Sequence, residues 1–131
     1  MDTKVKSASG THIITELSGC NTAKLCDLEG VRAALTEAAE RAHTNVIDIS
    51  LHRFEPHGVS GVAVIAESHI SVHTWPELGY AALDIYTCGE LTMPEVGSAC
   101  LAKHFEAKHV VNSRIKRGVP SDDGSFTHIV Y

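Results

Sequence analysis

Between residues 45 and 88 the chain is interrupted so often that only short strands fit. Runs rich in β-branched and aliphatic residues lie near 46 to 54, 60 to 66, 69 to 75 and 80 to 88. Pro56-His57-Gly58 and Pro76-Glu77-Leu78-Gly79 separate them with turn chemistry, and the joint at Glu67-Ser68 is shorter still. Connections this short join antiparallel neighbours, because a parallel crossover needs a dozen residues or more. Val62-Ala63-Val64-Ile65-Ala66 and Ala81-Ala82-Leu83-Asp84-Ile85 alternate little between apolar and polar, which predicts a sheet covered on both faces. In a chain of 131 residues, helices can cover one of those faces, and a second copy is the economical cover for the other.

The flanks supply the helices. After a strand over 10 to 17 and the loop Ser18-Gly19-Cys20-Asn21, the residues Leu28, Val31, Leu35, Ala38, Ala39 and Ala42 recur at spacings of three and four and form one apolar stripe. Asp27 stands where a cap belongs. A second helix opens at Thr92-Met93-Pro94-Glu95, read as a capping box with proline in the first turn, and Val96, Ala99, Cys100 and Phe105 form its expected inner face. Val110 to Ile115 predicts another strand, followed by a polar tail from Gly118 to Gly124. The expected fold is a single domain over 1 to 131: an α/β (α+β) two-layer sandwich with a mainly antiparallel sheet, two helices on one face, and sheets packed face to face in a dimer.

Composition narrows the function. With 11 Lys and Arg against 16 Asp and Glu, a net charge of −5 and no basic face, nucleic acid is not an expected partner. Apolar runs too short to span a bilayer and a polar start, Met1 to Lys6, predict no membrane partner and a cytoplasmic protein. Cysteines 20, 26, 88 and 100 form no C-x-x-C pair and are expected as reduced thiols. Nine histidines raise the question of a metal. His69 and His73 lie on a segment that reads as strand, where four residues span roughly 13 Å, too far to share one ion. His52 and His57 straddle Pro56, so no metal is expected.

Five blocks occur in order: Phe54-Glu55-Pro56-His57-Gly58-Val59-Ser60-Gly61-Val62, Glu67-Ser68-His69, His73-Thr74-Trp75-Pro76-Glu77, Gly79-Tyr80-Ala81-Ala82 and Thr87-Cys88-Gly89. Taken singly they are bland: Ser68 is a turn serine, His73 a strand histidine, Cys88 a small buried residue, Glu77 a solvated carboxylate and Phe54 core. Together they strongly resemble the short bacterial and archaeal S-adenosylmethionine decarboxylase proenzymes. The resemblance is dense over the central half of the chain and looser over the first strand and the helices.

That resemblance implies self-cleavage between Glu67 and Ser68 into a β chain, 1 to 67, and an α chain, 68 to 131, whose first residue becomes a covalent pyruvoyl group derived from Ser68. It implies that Ser60 and His73 assist processing, with His73 moving protons. Cys88 is implied to return a proton to the substrate's α-carbon, and Phe54 and Glu77 to contact adenine and ribose. The implied reaction is decarboxylation of S-adenosylmethionine through a Schiff base, giving the aminopropyl donor for spermidine synthesis, in a homodimer of processed units. The chemistry is coherent on its own terms. Decarboxylation of an amino acid leaves a carbanion that no ordinary side chain delocalises, and a ketone supplies the missing electron sink. A thiol can quench the carbanion, and a histidine titrates near neutral pH.

Two alternatives stay open at this point. Similar proteins with the pyruvoyl apparatus decarboxylate arginine or ornithine, and Glu55 offers a carboxylate to a cationic side chain. A noncatalytic regulatory subunit is an alternative of another class, although Ser68, His73 and Cys88 are all present. One geometric expectation follows as well. Ser68 and His73 are an odd number of residues apart, so a regular strand sends them to opposite faces, and a bend or bulge near Ser68 is expected. Ser60 can reach either residue only if the pairing register permits it.

Overall fold

A computed structural model describes residues 8–66 and 68–131. The chain runs β1 (Gly10–Ser18), α1 (Thr22–Cys26), α2 (Leu28–Arg41), β2 (Val46–Arg53), β3 (Val59–Ile65), β4 (Ser68–Trp75), a 3-10 turn (Pro76–Leu78), β5 (Tyr80–Cys88), α3 (Pro94–His104), β6 (His109–Pro120) and β7 (Phe126–Val130). Among the described residues these strands form one seven-stranded sheet, in the order β2-β3-β4-β5-β1-β6-β7. Every neighbouring pair is antiparallel. The run from β2 to β5 is the meander that the short turns predict. β1 then inserts between β5 and β6, which brings residues 10 to 18 against the end of the central run.

The helices lie on one face, as expected. Asp27 caps α2 by accepting from the Gly30 amide at 3.0 Å, and Val31, Leu35, Ala38 and Ala39 of the apolar stripe are buried together with Ala34. They pack with Ala63, Ile65, Ile70, Val72, Leu83 and Ile85 of the sheet and with Leu101 and Phe105 into one core. Burying each of the Val, Leu, Ile and Phe side chains contributes about 1.5–3 kcal/mol, and this term holds the helices to the sheet.

Three local expectations are corrected. The inner face of α3 is Gly97, Ser98 and Leu101, while Ala99 is exposed and Val96 and Cys100 are half-buried. Close packing accompanies this rotation: a Cβ on Gly97 would stand 3.0 Å from Ile85 Cδ1 and 3.3 Å from the Ala38 carbonyl, tighter than ordinary contact, so the bare backbone favours the close approach of α3 to α2 and the sheet. Thr92 makes no capping box, because its hydroxyl bonds back to the Gly89 carbonyl and to Thr87 Oγ1. Among the described residues, β4 shows no bulge at Ser68. β4 stays in unbroken register with β3 from Ile65↔Ser68 to Ser60↔His73, and the irregularities lie in β2, between Val46 and Asp48, and in β6, between Lys116 and Val119. The sequence reading also lacked the short helix α1, capped by Asn21, and the strand β7.

Among the described residues, no helix covers the second face. It presents Ile14 (37% exposed), Val62 (37%), Val64 (43%) and Trp75 (39%), interspersed with His12, Ser60, His69, Ser71, His73 and Asp84. Burial therefore alternates along these strands while polarity does not, as the weak apolar/polar alternation of the sequence implies.

Candidate active site

The strand register decides which predicted residues meet. Ser60 in β3 sits directly opposite His73 in β4, and Ser60 Oγ lies 2.8 Å from His73 Nδ1. Residues directly opposite each other share a sheet face, so the pairing allows this contact. At the same end of the strands, His57 Nε2 lies 3.1 Å from Glu77 Oε1, and the exposed Phe54 ring packs edge-on against His52 with centroids 4.5 Å apart. Ser60, His73, Phe54 and Glu77 thus gather around the β2–β3 turn and the 3-10 turn.

Ser68 opens β4 at the opposite end. Its hydroxyl is half-buried and 3.4 Å from Nδ1 of the next residue, His69. Nε2 of His69 and Nε2 of His12 each lie 2.7 Å from one atom, Asp84 Oδ2, and the Ser71 hydroxyl donates to Asp84 Oδ1. The far side of His12, Nδ1, accepts from Arg117 Nη1 at 3.2 Å, and the Arg117 guanidinium also covers the Tyr86 ring at 4.4 Å. Burial alone would push the Asp84 carboxyl up. Hydrogen bonds from Ser71, His69 and His12 outweigh it and hold the group below its ordinary value, as a carboxylate.

Cys88 ends β5 opposite Gly10 of β1, with Sγ 3.9 Å from the Ala8 carbonyl. The absent side chain matters here, because a Cβ on Gly10 would stand 2.9 Å from Cys88 Sγ and 2.7 Å from the Thr87 carbonyl. Burial, with a hydrogen bond to Cys88, raises the neighbouring Tyr86 phenol. β5 pairs with β4 from Trp75↔Tyr80 to His69↔Tyr86, so Cys88 and Ser68 lie at the same end of adjoining strands.

The predicted residues thus form two groups rather than one. Ser68 and Cys88 stand at one end of β4 and β5. Ser60, His73, Phe54 and Glu77 stand at the other, five residues along β4, which is roughly 16 Å. Glu67, the other predicted cleavage-site residue, lies outside the described residues. A shallow depression of about 270 Å³ on the open face, lined in part by His12, Ser71, His73 and Asp84, runs between the groups. A larger cavity of about 450 Å³ lies among the helices, with Glu37, Arg41, Cys100 and His104 in its wall, and contains none of the predicted residues.

Sequence reasoning missed the His12–Asp84–His69 cluster. Its three residues come from β1, β5 and β4, and only the strand order puts them side by side. Their ligand atoms lie within 4.8 Å of one another, a spacing that suits a metal ion. The same atoms already bond to each other, with both imidazoles on one carboxylate oxygen, and the arrangement is complete as a hydrogen-bonded network.

The family model for S-adenosylmethionine decarboxylase matches residues 11–118. The chain belongs to the S-adenosylmethionine decarboxylase family. Among its relatives, the S-adenosylmethionine decarboxylase proenzyme of Pyrococcus abyssi is 47% identical over 121 residues, covering 92% of this chain and 87% of that protein. The proenzyme of Thermodesulfovibrio yellowstonii is 46% identical over 114 residues, covering 87% and 84%. The crystal structure of the adenosylmethionine decarboxylase from Aquifex aeolicus superposes with a TM-score of 0.82 at 32% identity, covering 91% of this chain and 98% of that one. The two-layer fold with its antiparallel sheet is therefore that of an S-adenosylmethionine decarboxylase family member, as the sequence blocks implied.

Proposed function

We propose that this protein is a proenzyme that cuts itself between Glu67 and Ser68, giving chains 1–67 and 68–131, and then decarboxylates S-adenosylmethionine. The observation that carries this reading is the family match over 11–118, combined with Ser68 and Cys88 at one end of adjoining strands. The residues present fit a pyruvoyl group at Ser68: a half-buried hydroxyl at the start of a strand, a histidine beside it and a thiol on the next strand. That group, once formed, supplies the electron sink for decarboxylation. Cys88 holds the proton that returns to the substrate, a role that requires a free thiol and suits the reducing cytoplasm.

The separation within one chain favours a site shared between two chains. In a homodimer with open faces together and strands running in opposite senses, the Ser60–His73 end of each copy meets the Ser68–Cys88 end of the other. Each site then takes Ser68 and Cys88 from one chain, and Ser60, His73, Phe54 and Glu77 from its partner. Phe54 stacks on the adenine and Glu77 binds the ribose hydroxyls. The same packing covers Ile14, Val62, Val64 and Trp75. Ser60 holds the His73 ring in place through Nδ1.

Intact-mass spectrometry with a carbon dioxide assay tests the reading. The wild type splits into two fragments, the second beginning with a ketone, and releases carbon dioxide from S-adenosylmethionine but not from arginine or ornithine. Ser68→Ala stays whole, folded and inactive. Turnover by an uncut chain, or by Ser68→Ala, defeats the reading.

A further inference from the structure

A self-cleaving serine needs a base for its own hydroxyl proton, and the residues carried over by resemblance leave none within reach in this chain. His73 is five residues along the same strand, roughly 16 Å away. Ser60 pairs with His73 and shares its distance from Ser68.

The structure supplies another histidine. His69 Nδ1 stands 3.4 Å from Ser68 Oγ, the long end of a hydrogen bond and a spacing that tightens in a reacting state. Asp84 sets the tautomer of the ring. A carboxylate only accepts, so His69 must donate from Nε2 across the 2.7 Å contact, and in the neutral ring this leaves the lone pair on Nδ1, facing the serine. His12 obeys the same rule. It donates from Nε2 to the same oxygen, and its Nδ1 must accept from Arg117, because a guanidinium has no lone pair to offer. Ser71 occupies the remaining carboxylate oxygen. Both imidazoles and the Ser71 hydroxyl thus donate to Asp84, which leaves His69 Nδ1 as an acceptor beside Ser68.

We propose that His69 is the catalytic base of the first step of self-cleavage, with Asp84, braced by His12, Ser71 and Arg117, as its positioning residue. The step rests on the self-cleavage proposed above, and it balances without a co-reactant. The Ser68 O–H bond breaks and its proton passes to His69 Nδ1, while the oxygen forms a bond to the carbonyl carbon of residue 67. The C–N bond to Ser68 then breaks, and His69 returns the proton to the departing nitrogen. An amide has become an ester, with no atom gained or lost. The partner's His73 is left for the later steps, which remove a proton from the Ser68 α-carbon and open the ester.

Hydroxylamine distinguishes the two stages, since it cuts an ester under conditions that spare an amide. His69→Gln keeps a donor toward Asp84 but offers no base to Ser68. It is expected to slow the split by roughly 10²-fold or more and to accumulate a full-length chain that hydroxylamine leaves intact. His69→Gly vacates the ring's place, and added imidazole should accelerate its cleavage in proportion to concentration, which a merely structural role would not produce. Asp84→Asn should slow the split in the same sense. Circular dichroism and elution volume establish that each variant is folded. Cleavage of His69→Gln at the wild-type rate overturns the assignment, as does a stalled His69→Gln chain that hydroxylamine cuts at residue 68. A wild type that never splits instead defeats the proposed function and is read from the same gel.

Discussion

The shared site can be tested by giving each of two chains a different lesion. His73→Ala lacks one end of the site, and Ser68→Ala lacks the other. Because the two positions are roughly 16 Å apart in one chain, against about 3 Å for a proton transfer, neither lesion can be repaired from within its own subunit. Alone, His73→Ala should complete its split roughly 10²–10⁴-fold more slowly than wild type. When differently tagged chains are co-expressed in equal amount and pair at random, about half of the dimers are mixed, each with one site carrying both lesions and one carrying neither. About half of the His73→Ala chains should therefore split, and carbon dioxide release should recover to about a quarter of wild type. Purification through both tags isolates the mixed dimers, where every His73→Ala chain should be cut and every Ser68→Ala chain whole. If the site were formed within one chain, both sites of a mixed dimer would carry one lesion, and nothing would recover. Uncut His73→Ala chains in isolated mixed dimers would therefore refute the reasoning.

Other outcomes follow from single residues. Cys88→Ala should still split at Ser68 but turn over slowly or deliver the proton to the wrong atom of the product, as shown by product analysis in heavy water. His104 has a buried Nε2 without a hydrogen-bond partner among the described residues, and burial, aided by the charge of Lys24, lowers its pKa below 6.5. The unfolded chain therefore takes up a proton first as pH falls below 6.5, and the native state loses stability until pH passes the lower folded value. His104→Phe should gain about 1 kcal/mol at neutral pH and a widening margin toward pH 5, measured by urea unfolding.

Legibility in the sequence followed the range of the interaction. β1 to β5 and α2 were readable because period and punctuation act over a few residues, and Asp27 caps α2 as its position suggests. α3 was placed correctly, yet its buried face was misread, because close packing at Gly97 outweighs the apolar count of Val96, Ala99 and Cys100. β7 had a local signal, the turn at Asp122-Asp123-Gly124 before Phe126-Thr127-His128-Ile129-Val130, but its residues are all exposed and no core pattern marks them. Ser60 and His73 came from the family blocks, and the register confirms their contact. The division of the predicted residues between two strand ends, and the meeting of His12, His69 and Asp84, needed the strand order, which a linear reading does not contain.

The ladder between β3 and β4 runs up to the pair Ile65↔Ser68, so a cut just before Ser68 falls beyond its last rung. A backbone break there would sever the molecule covalently while removing almost none of its cohesion, since β3 and β4 remain bonded along their whole length. The two pieces would travel as one body, and the new chain end would be held in place by its neighbours on both sides. A hairpin tip is thus the spot where a protein can cut itself and keep the severed end as a fixed working part.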